Sequence, residues 1–280
     1  MADPSSPQRA DGDRPPLDAA ALTARLVRPD GLWRAVDVVE QVGSTNAVLL
    51  ARAADEDAPE GLVLVAEHQQ AGRGRLDRAW VSPPRAGLTV SVLLRPDVPA
   101  ARRGWLPLLC GVALAEAVAT VAGVRTSLKW PNDLLAPDGA KLAGILAEAA
   151  GPAVVVGTGL NVSTRPEELP DGGASLATVR GAAPDRAAVL AGFLGELERR
   201  YRAWTAGLGD PVSTGLARDY VAWCSTVGQR VAVTMPDGSL LEGVAEAVDW
   251  DGRLVVRTDA GPVELASGDV RHVRPRAAEG

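Results

Sequence analysis

Apolar positions fall into short blocks along this chain, and their spacing changes from block to block. Gly61–Glu67 is a run of Val, Leu and Ala bounded by glycine, which predicts a buried strand. Trp33–Val42, Leu88–Leu94, Thr126–Trp130 and Ala153–Leu160 read as further strands. Leu134–Leu135 and Lys141–Ala149 read as the arms of a hairpin across Ala136-Pro137-Asp138-Gly139. A helical period would also fit KLAGILAEA, but Gly144 and the adjoining turn favour strand. An Ala/Leu-rich helix is predicted from Ser44 or Thr45 to about Asp55, and an almost continuously apolar one over Trp105–Val124. Asp185–Ala206 and Asp210–Cys224 are predicted as two more helices. From Thr226 the texture becomes short alternating strands separated by PDG, WDG and DAG turns. That pattern predicts a five- or six-stranded barrel of the SH3-like kind, with the domain boundary near Ser225. The reading is therefore a disordered leader over 1–30, with a short helix around Leu17–Val27, then a larger domain over 31–225 and a small one over 226–280.

Composition narrows the function classes. With 46% hydrophobic and 23% charged residues, the chain has the balance of a soluble globular protein. A net charge of −6 argues against a general nucleic-acid binder, whose footprint is basic. The N-terminal 30 residues have no apolar core of the signal-peptide kind. Trp105–Ala122 has about the length of a membrane span, but Pro107, Glu116 and its many Ala and Gly residues make it a buried core helix. Cys110 and Cys224 lie far apart in apolar contexts without metal-ligand spacing, and both are read as core residues of a cytosolic protein. Only two of the 29 basic residues are lysines, Lys129 and Lys141. Asparagine occurs only at 46, 132 and 161. In a chain rich in Ala, Arg, Gly and Val, these rare types mark positions where substitutes do not serve.

The buried strand at 61–67 runs into Gln69-Gln70-Ala71-Gly72-Arg73-Gly74-Arg75. Glycines let backbone amides approach a ligand closely, and arginines supply forked, permanently charged donors for carboxylate or phosphate. The loop is a local positive spot in an acidic protein, suited to a small anion; a flexible solvated turn is the plain alternative. Ser44 or Thr45 reads first as a helix N-cap; the functional alternative is that the hydroxyls and amides of this helix N-terminus bind a polar ligand head. Trp80, in the loop that follows, is either packing or a flat surface for a ring.

Four segments share one explanation: GSTN (43–46), EHQQAGRGR (67–75), KWPND (129–133), and KLAGIL (141–146) with GLNVS (159–163). Their order and spacing resemble the biotin protein ligases from about Val36 to Cys224, and the predicted barrel matches that family's usual tail. The resemblance implies an α+β fold, with a mixed-sheet catalytic domain of the biotin/lipoate ligase type and an SH3-like C-terminal barrel. It implies ATP-dependent formation of biotinyl-5′-AMP, then transfer of biotin to one lysine of a biotin carboxyl carrier domain. Carried over, Ser44, Thr45, Asn46 and Gln69 hold biotin, with the ureido ring on Ser44, Thr45 and Gln69. Gly72, Arg73 and Arg75 close over the activated carboxylate and phosphate. Lys141 and Gly144 sit at the reacting carboxyl. Trp80 lies near adenine, and Lys129, Asn132, Asp133 and Asn161 near the nucleotide. The catalytic groups are then Lys141, Arg73 and Arg75. Mg²⁺ is expected with ATP, no metal ligand is firmly assigned, and Asp133 is the nearest candidate.

Many family members carry an N-terminal helix-turn-helix domain. This sequence has none of its pattern, so it resembles the enzyme-only members, with neither nucleic acid nor membrane as partner. Two rivals are a lipoate or octanoate ligase, which needs a greasy tunnel, and a non-catalytic sensor of biotin or nucleotide, which would release no pyrophosphate.

Overall fold

The computed structural model describes residues 14–273 except 56, 76–77 and 236. Its elements run α1 (Ala19–Leu26), β1 (Ala35–Val42), α2 (Thr45–Ala53), β2 (Leu62–Gln69), β3 (Gly87–Leu94), α3 (Trp105–Ala117), β4 (Ser127–Lys129), β5 (Asp133–Leu135), β6 (Lys141–Ala150), β7 (Ala153–Asn161), α4 (Leu176–Arg180), α5 (Arg186–Ala206) and α6 (Leu216–Trp223), then β8 (Arg230–Thr234), β9 (Leu240–Val248), β10 (Leu254–Thr258), β11 (Gly261–Leu265) and β12 (Asp269–His272). The first seven strands form one mixed sheet in the order β1-β2-β3-β7-β6-β5-β4, and the last five form an antiparallel sheet in the order β11-β10-β9-β8-β12. This is the α+β architecture that the family resemblance implies, and the tail expected to have five or six strands has five.

The sheet carries a different layer on each face. Val90, Val92, Val154 and Val156 project into the main core with α3 and α5, while Leu64, Leu93 and Val155 form a smaller cluster with Leu49 of α2. Central strands covered on both faces must be apolar throughout, and β3 and β7 are buried along their whole length. The apolar α3 is the central helix of the main core, so its membrane-like composition reflects burial under the sheet. It is preceded by a 3₁₀ turn (Ala100–Gly104) and followed by a π turn (Val118–Ala122) that ends at left-handed Gly123. Cys110 is buried and its thiol pKa is pushed up to about 12, chiefly by burial, whereas Cys224 is half-buried.

Two expectations need correction. The short helix expected around Leu17–Val27 is present as α1, but the stretch 14–30, expected as disordered leader around it, is packed, and residues 1–13 lie outside the described residues. Leu22 and Leu26 of α1, one helical turn apart, enter the main core. Upstream, Arg14 pairs with Glu168 at 2.6 Å, and the Leu17 amide donates to Glu67 Oε1 at 2.6 Å. Glu67 is itself buried against Arg186 at 2.7 Å. These partners come from distant parts of the chain, so local composition could not announce them. The helix expected over 210–224 is confined to α6. The Asp210 carboxylate accepts from the Val212 and Ser213 amides, and Gly215 takes a left-handed conformation (φ 76°), which stops any helix upstream.

Candidate active site

Among the described residues, β1 and β2 are the only parallel neighbours in the large sheet, and α2 is the crossover between them. Parallel strands end at the same side, so the loop after β1 (Gly43–Ser44) and the loop after β2 (Gln70 onward) meet. The Gln70 amide donates to the Val42 carbonyl at 3.0 Å and the Ala71 amide to the Gly43 carbonyl at 2.8 Å. Ser44 caps α2 through the Ala47 amide. Gln69 Oε1 accepts from both the amide (2.7 Å) and the hydroxyl (3.0 Å) of Thr45. The GSTN and Gly-Arg segments are thus one structural unit, and Ser44 and Thr45 act as helix terminus and cleft wall together.

A cleft of about 210 Å³ opens there, lined by Ser44, Thr45, Asn46, Gln69, Arg73, Arg75, Trp80, Lys129, Asn132, Asp133, Lys141 and Gly144 among others. Five cationic side chains and two acidic ones border it, in a protein of net charge −6. Such focusing favours an anionic ligand. Lys141 Nζ lies 2.6 Å from Asp133 Oδ1, and the Lys141 backbone is fixed by the Gly172 carbonyl and the Ala174 amide. Asn132 braces β6 through the Ile145 carbonyl at 3.0 Å and receives Arg75 at 3.5 Å. Burial is the largest influence on the Arg75 guanidinium and lowers its pKa; the nearby charge of Asp133 opposes it.

The floor explains the glycines. Thr89 and Ser91 of β3 stand opposite Gly159 and Gly157 of β7, which in turn face Gly144 and Leu146 of β6. A Cβ at Gly159 would lie 2.3 Å from the Trp80 indole, and one at Gly157 would lie 2.1 Å from Asn46 Oδ1. Trp80 therefore lies flat on the Gly144/Gly159 pair, 6.0 Å from Lys141 Nζ, and Asn46 lies on Gly157. The Gly-Arg loop folds back as a narrow turn: Trp80 N–H donates to the Gly72 carbonyl, Gly74 N–H donates to the Arg78 carbonyl, and Arg73 bridges to Ala79.

Two residues expected in the site are placed elsewhere. Asn161 is buried beyond the cleft, and its amide donates to the Ala174 carbonyl at 3.0 Å, so it shapes the loop that holds Lys141. Gly72 is not in the cleft wall; a Cβ there would meet the Trp80 carbonyl at 2.3 Å and Gln69 at 2.8 Å, so it serves the loop's own packing. Conversely, Arg78, Thr89, Gly157, Gly159 and Asp269 line the cleft without having been expected there, and Ser91 is buried beneath it. Thr89 and Ser91 interrupt an apolar strand at period two, and GTG at 157–159 alternates glycine in the same way, which marks one face of each strand as special. Asp269 belongs to β12 and pairs with Arg78 at 2.6 Å; nothing in its own sequence context signals that.

Asp133, the candidate metal ligand, is engaged by Lys141. Among the described residues no three His, Cys, Asp or Glu side chains converge to hold an ion. A resident metal does not fit this site; Mg²⁺ would enter on the phosphates of ATP.

Comparison with known proteins agrees with this architecture. Residues 38–162 match the model of the biotin/lipoate A/B protein ligase family, and residues 226–273 match that of the biotin protein ligase C-terminal domain. The biotin–[acetyl-CoA-carboxylase] ligase of Mycobacterium tuberculosis is 46% identical over 265 residues, covering 93% of this chain and 97% of that protein. The bifunctional ligase/repressor BirA of Bacillus subtilis is 34% identical, over 78% of this chain and 68% of its own. Among solved structures, the Aquifex aeolicus biotin protein ligase in complex with biotin and ATP superposes with a TM-score of 0.72 at 27% identity, covering 85% of this chain and 99% of that one. The chain belongs to the biotin protein ligases.

Proposed function

We infer that the protein activates biotin with ATP to biotinyl-5′-AMP and transfers the biotinyl group to a lysine of a biotin carboxyl carrier domain, as a cytoplasmic enzyme. The observation that carries this is the convergence of Lys141, Arg73 and Arg75 on one cleft with Thr45 and Gln69. Two substrates, one apolar with a polar ring and one polyanionic, need such a mixed wall.

In the first step the biotin carboxylate attacks the α-phosphate and pyrophosphate leaves. Two anions must approach, and fixed positive charge between them is the largest help available. Lys141, a compact charge held by Asp133, is suited to the carboxyl end, beside the flat floor at Gly144. Arg73 and Arg75 supply donors to the carboxylate and phosphate. Ser44, Thr45 and Gln69 supply hydroxyl and amide groups for the ureido ring, and Trp80, Lys129, Asn132 and Asp133 face the nucleotide side. In the second step the carrier lysine's amine attacks the mixed anhydride carbonyl, and AMP departs with the bond electrons. The loop over the adenylate keeps water out meanwhile.

Incubation of the protein with biotin and MgATP, followed by native mass spectrometry, tests the reading. A retained adenylate mass, pyrophosphate release and labelling of an added carrier domain are expected. Use of lipoate in place of biotin, or no pyrophosphate with either acid, would overturn it.

A further inference from the structure

Glu148 has no place in the chemistry above, yet its carboxylate lies between Asn46 in the cleft wall and Arg73 of the Gly-Arg loop. Thr45 donates to Gln69, and the Ser91 hydroxyl lies 2.7 Å from Thr45 Oγ1 and 2.6 Å from Asn46 Oδ1. Ser91 is fully buried on the floor row of β3. Asn46 Nδ2 then donates to Glu148 Oε2 at 2.7 Å and to the Leu146 carbonyl at 3.2 Å. Glu148 Oε1, finally, is 3.2 Å from Arg73 Nη2.

The geometry points to Glu148 as a positioning residue that aims Arg73 of the Gly-Arg loop at the adenylate. A guanidinium has five N–H donors in a rigid fork. Glu148 engages only Nη2, so the remaining edge is left for a ligand carboxylate or phosphate. Glu148 cannot swing with the loop, because Asn46 fixes it and the absence of a Cβ at Gly157 makes room for Asn46. An exposed arginine alone loses rotamer freedom when it binds; one already held on an anchored carboxylate has less left to lose. The anchor rests on Asn46 itself, which is held by the Leu146 carbonyl and by the space at Gly157.

This rests on the proposed role of Arg73 at the adenylate, and a double-mutant cycle separates the two claims. Dissociation of biotinyl-AMP is measured for wild type, Arg73→Ala, Glu148→Ala and the double variant, with melting temperature recorded for each. Both single variants are expected to release the adenylate faster, on the order of ten- to a hundredfold, at nearly unchanged melting temperature. The double variant should be no worse than Arg73→Ala. Gly157→Ala, which displaces Asn46 without changing charge, should shift release in the same direction. If Arg73→Ala alone leaves release unchanged, the site reading is wrong and this inference goes with it. If Arg73→Ala and Glu148→Ala each act but their effects multiply, Glu148 works independently of Arg73 and only this inference is overturned.

Discussion

Lys141 Nζ rests 2.6 Å from Asp133 Oδ1, across the short β5–β6 pairing that brings KWPND and KLAGIL side by side. The carboxylate sets a negative charge against the ammonium at the edge of the cleft before any ligand arrives. An exposed charge could be exchanged for arginine at a cost of roughly 0–1 kcal/mol. A charge placed between a carboxylate and a phosphate could not, because the planar guanidinium would displace one of them. Lys141→Arg is therefore expected to fold normally and to lose adenylate formation by about 10²–10³. Transfer from added biotinyl-AMP should suffer less. Pyrophosphate release and carrier labelling, measured separately, check this, and near-normal pyrophosphate release would return Lys141 to the surface.

Trp80 on its glycine floor gives a steric prediction. A methyl group at Gly159 has no room beneath the indole. Gly159→Ala should drive Trp80 out of position and lower kcat/KM by roughly tenfold to a hundredfold, while circular dichroism and melting stay close to wild type. Wild-type kinetics for this variant would show that the site does not depend on where Trp80 lies.

The Gly-Arg loop is tied at its two limbs by partly exposed pairs, Arg73 with Glu148 and Arg78 with Asp269. A single partly exposed pair is weak in water, so Glu148 biases the aim of Arg73 without closing the loop, and bound adenylate would add stronger contacts. Trypsin should cut after Arg73 or Arg75 more slowly with biotin and ATP present than without. Equal rates in the two states would sink the idea of loop ordering by ligand.

A docking edge is available next to the cleft. β5 pairs with β6 only as far as Gly144, and the outer edge from Leu146 to Ala150 has no strand partner among the described residues. Open edges accept strand addition. Amide exchange with a bound carrier domain should slow over 146–150. Protection confined to the C-terminal sheet would count against edge-to-edge docking.

The domain junction carries a pH dependence. The Trp130 amide donates to Thr226 Oγ1 at 3.0 Å, and His272 Nε2 lies 3.1 Å from the same hydroxyl, with the donor set by the imidazole tautomer. Burial, and then the charge of Lys129, hold the His272 pKa below its usual value; Asp269 and Arg271 flank it on β12. A histidine with a lowered folded pKa binds fewer protons when folded. Its contribution is present above about pH 6.5 and is lost as pH falls through the lowered value. Thermal melts from about pH 7.5 down to 5 should fall more steeply for wild type than for His272→Gln. Parallel curves would remove His272 from the account.

Much of this protein is legible in its sequence. Apolar runs marked β2, β3 and β7, because strands covered on both faces have no alternative composition. The change of texture at Thr226 marked the second domain for the same local reason. Rare residues pointed to the cleft: both lysines and Asn46 and Asn132 line it. What the tertiary structure alone decided are the relations between distant strands. Asn161 resembles the other two asparagines in sequence, yet the continuation of β7 carries it past the cleft to Ala174. Glu148 reads as an ordinary solvent-side position of a strand, and only the register of β6 on β7 puts it beneath Asn46 and beside Arg73. Asp269, too, reaches the cleft only because the small domain packs against the large one. Local sequence fixes what a segment can form; which side chains meet depends on register and packing, and those are properties of the whole chain.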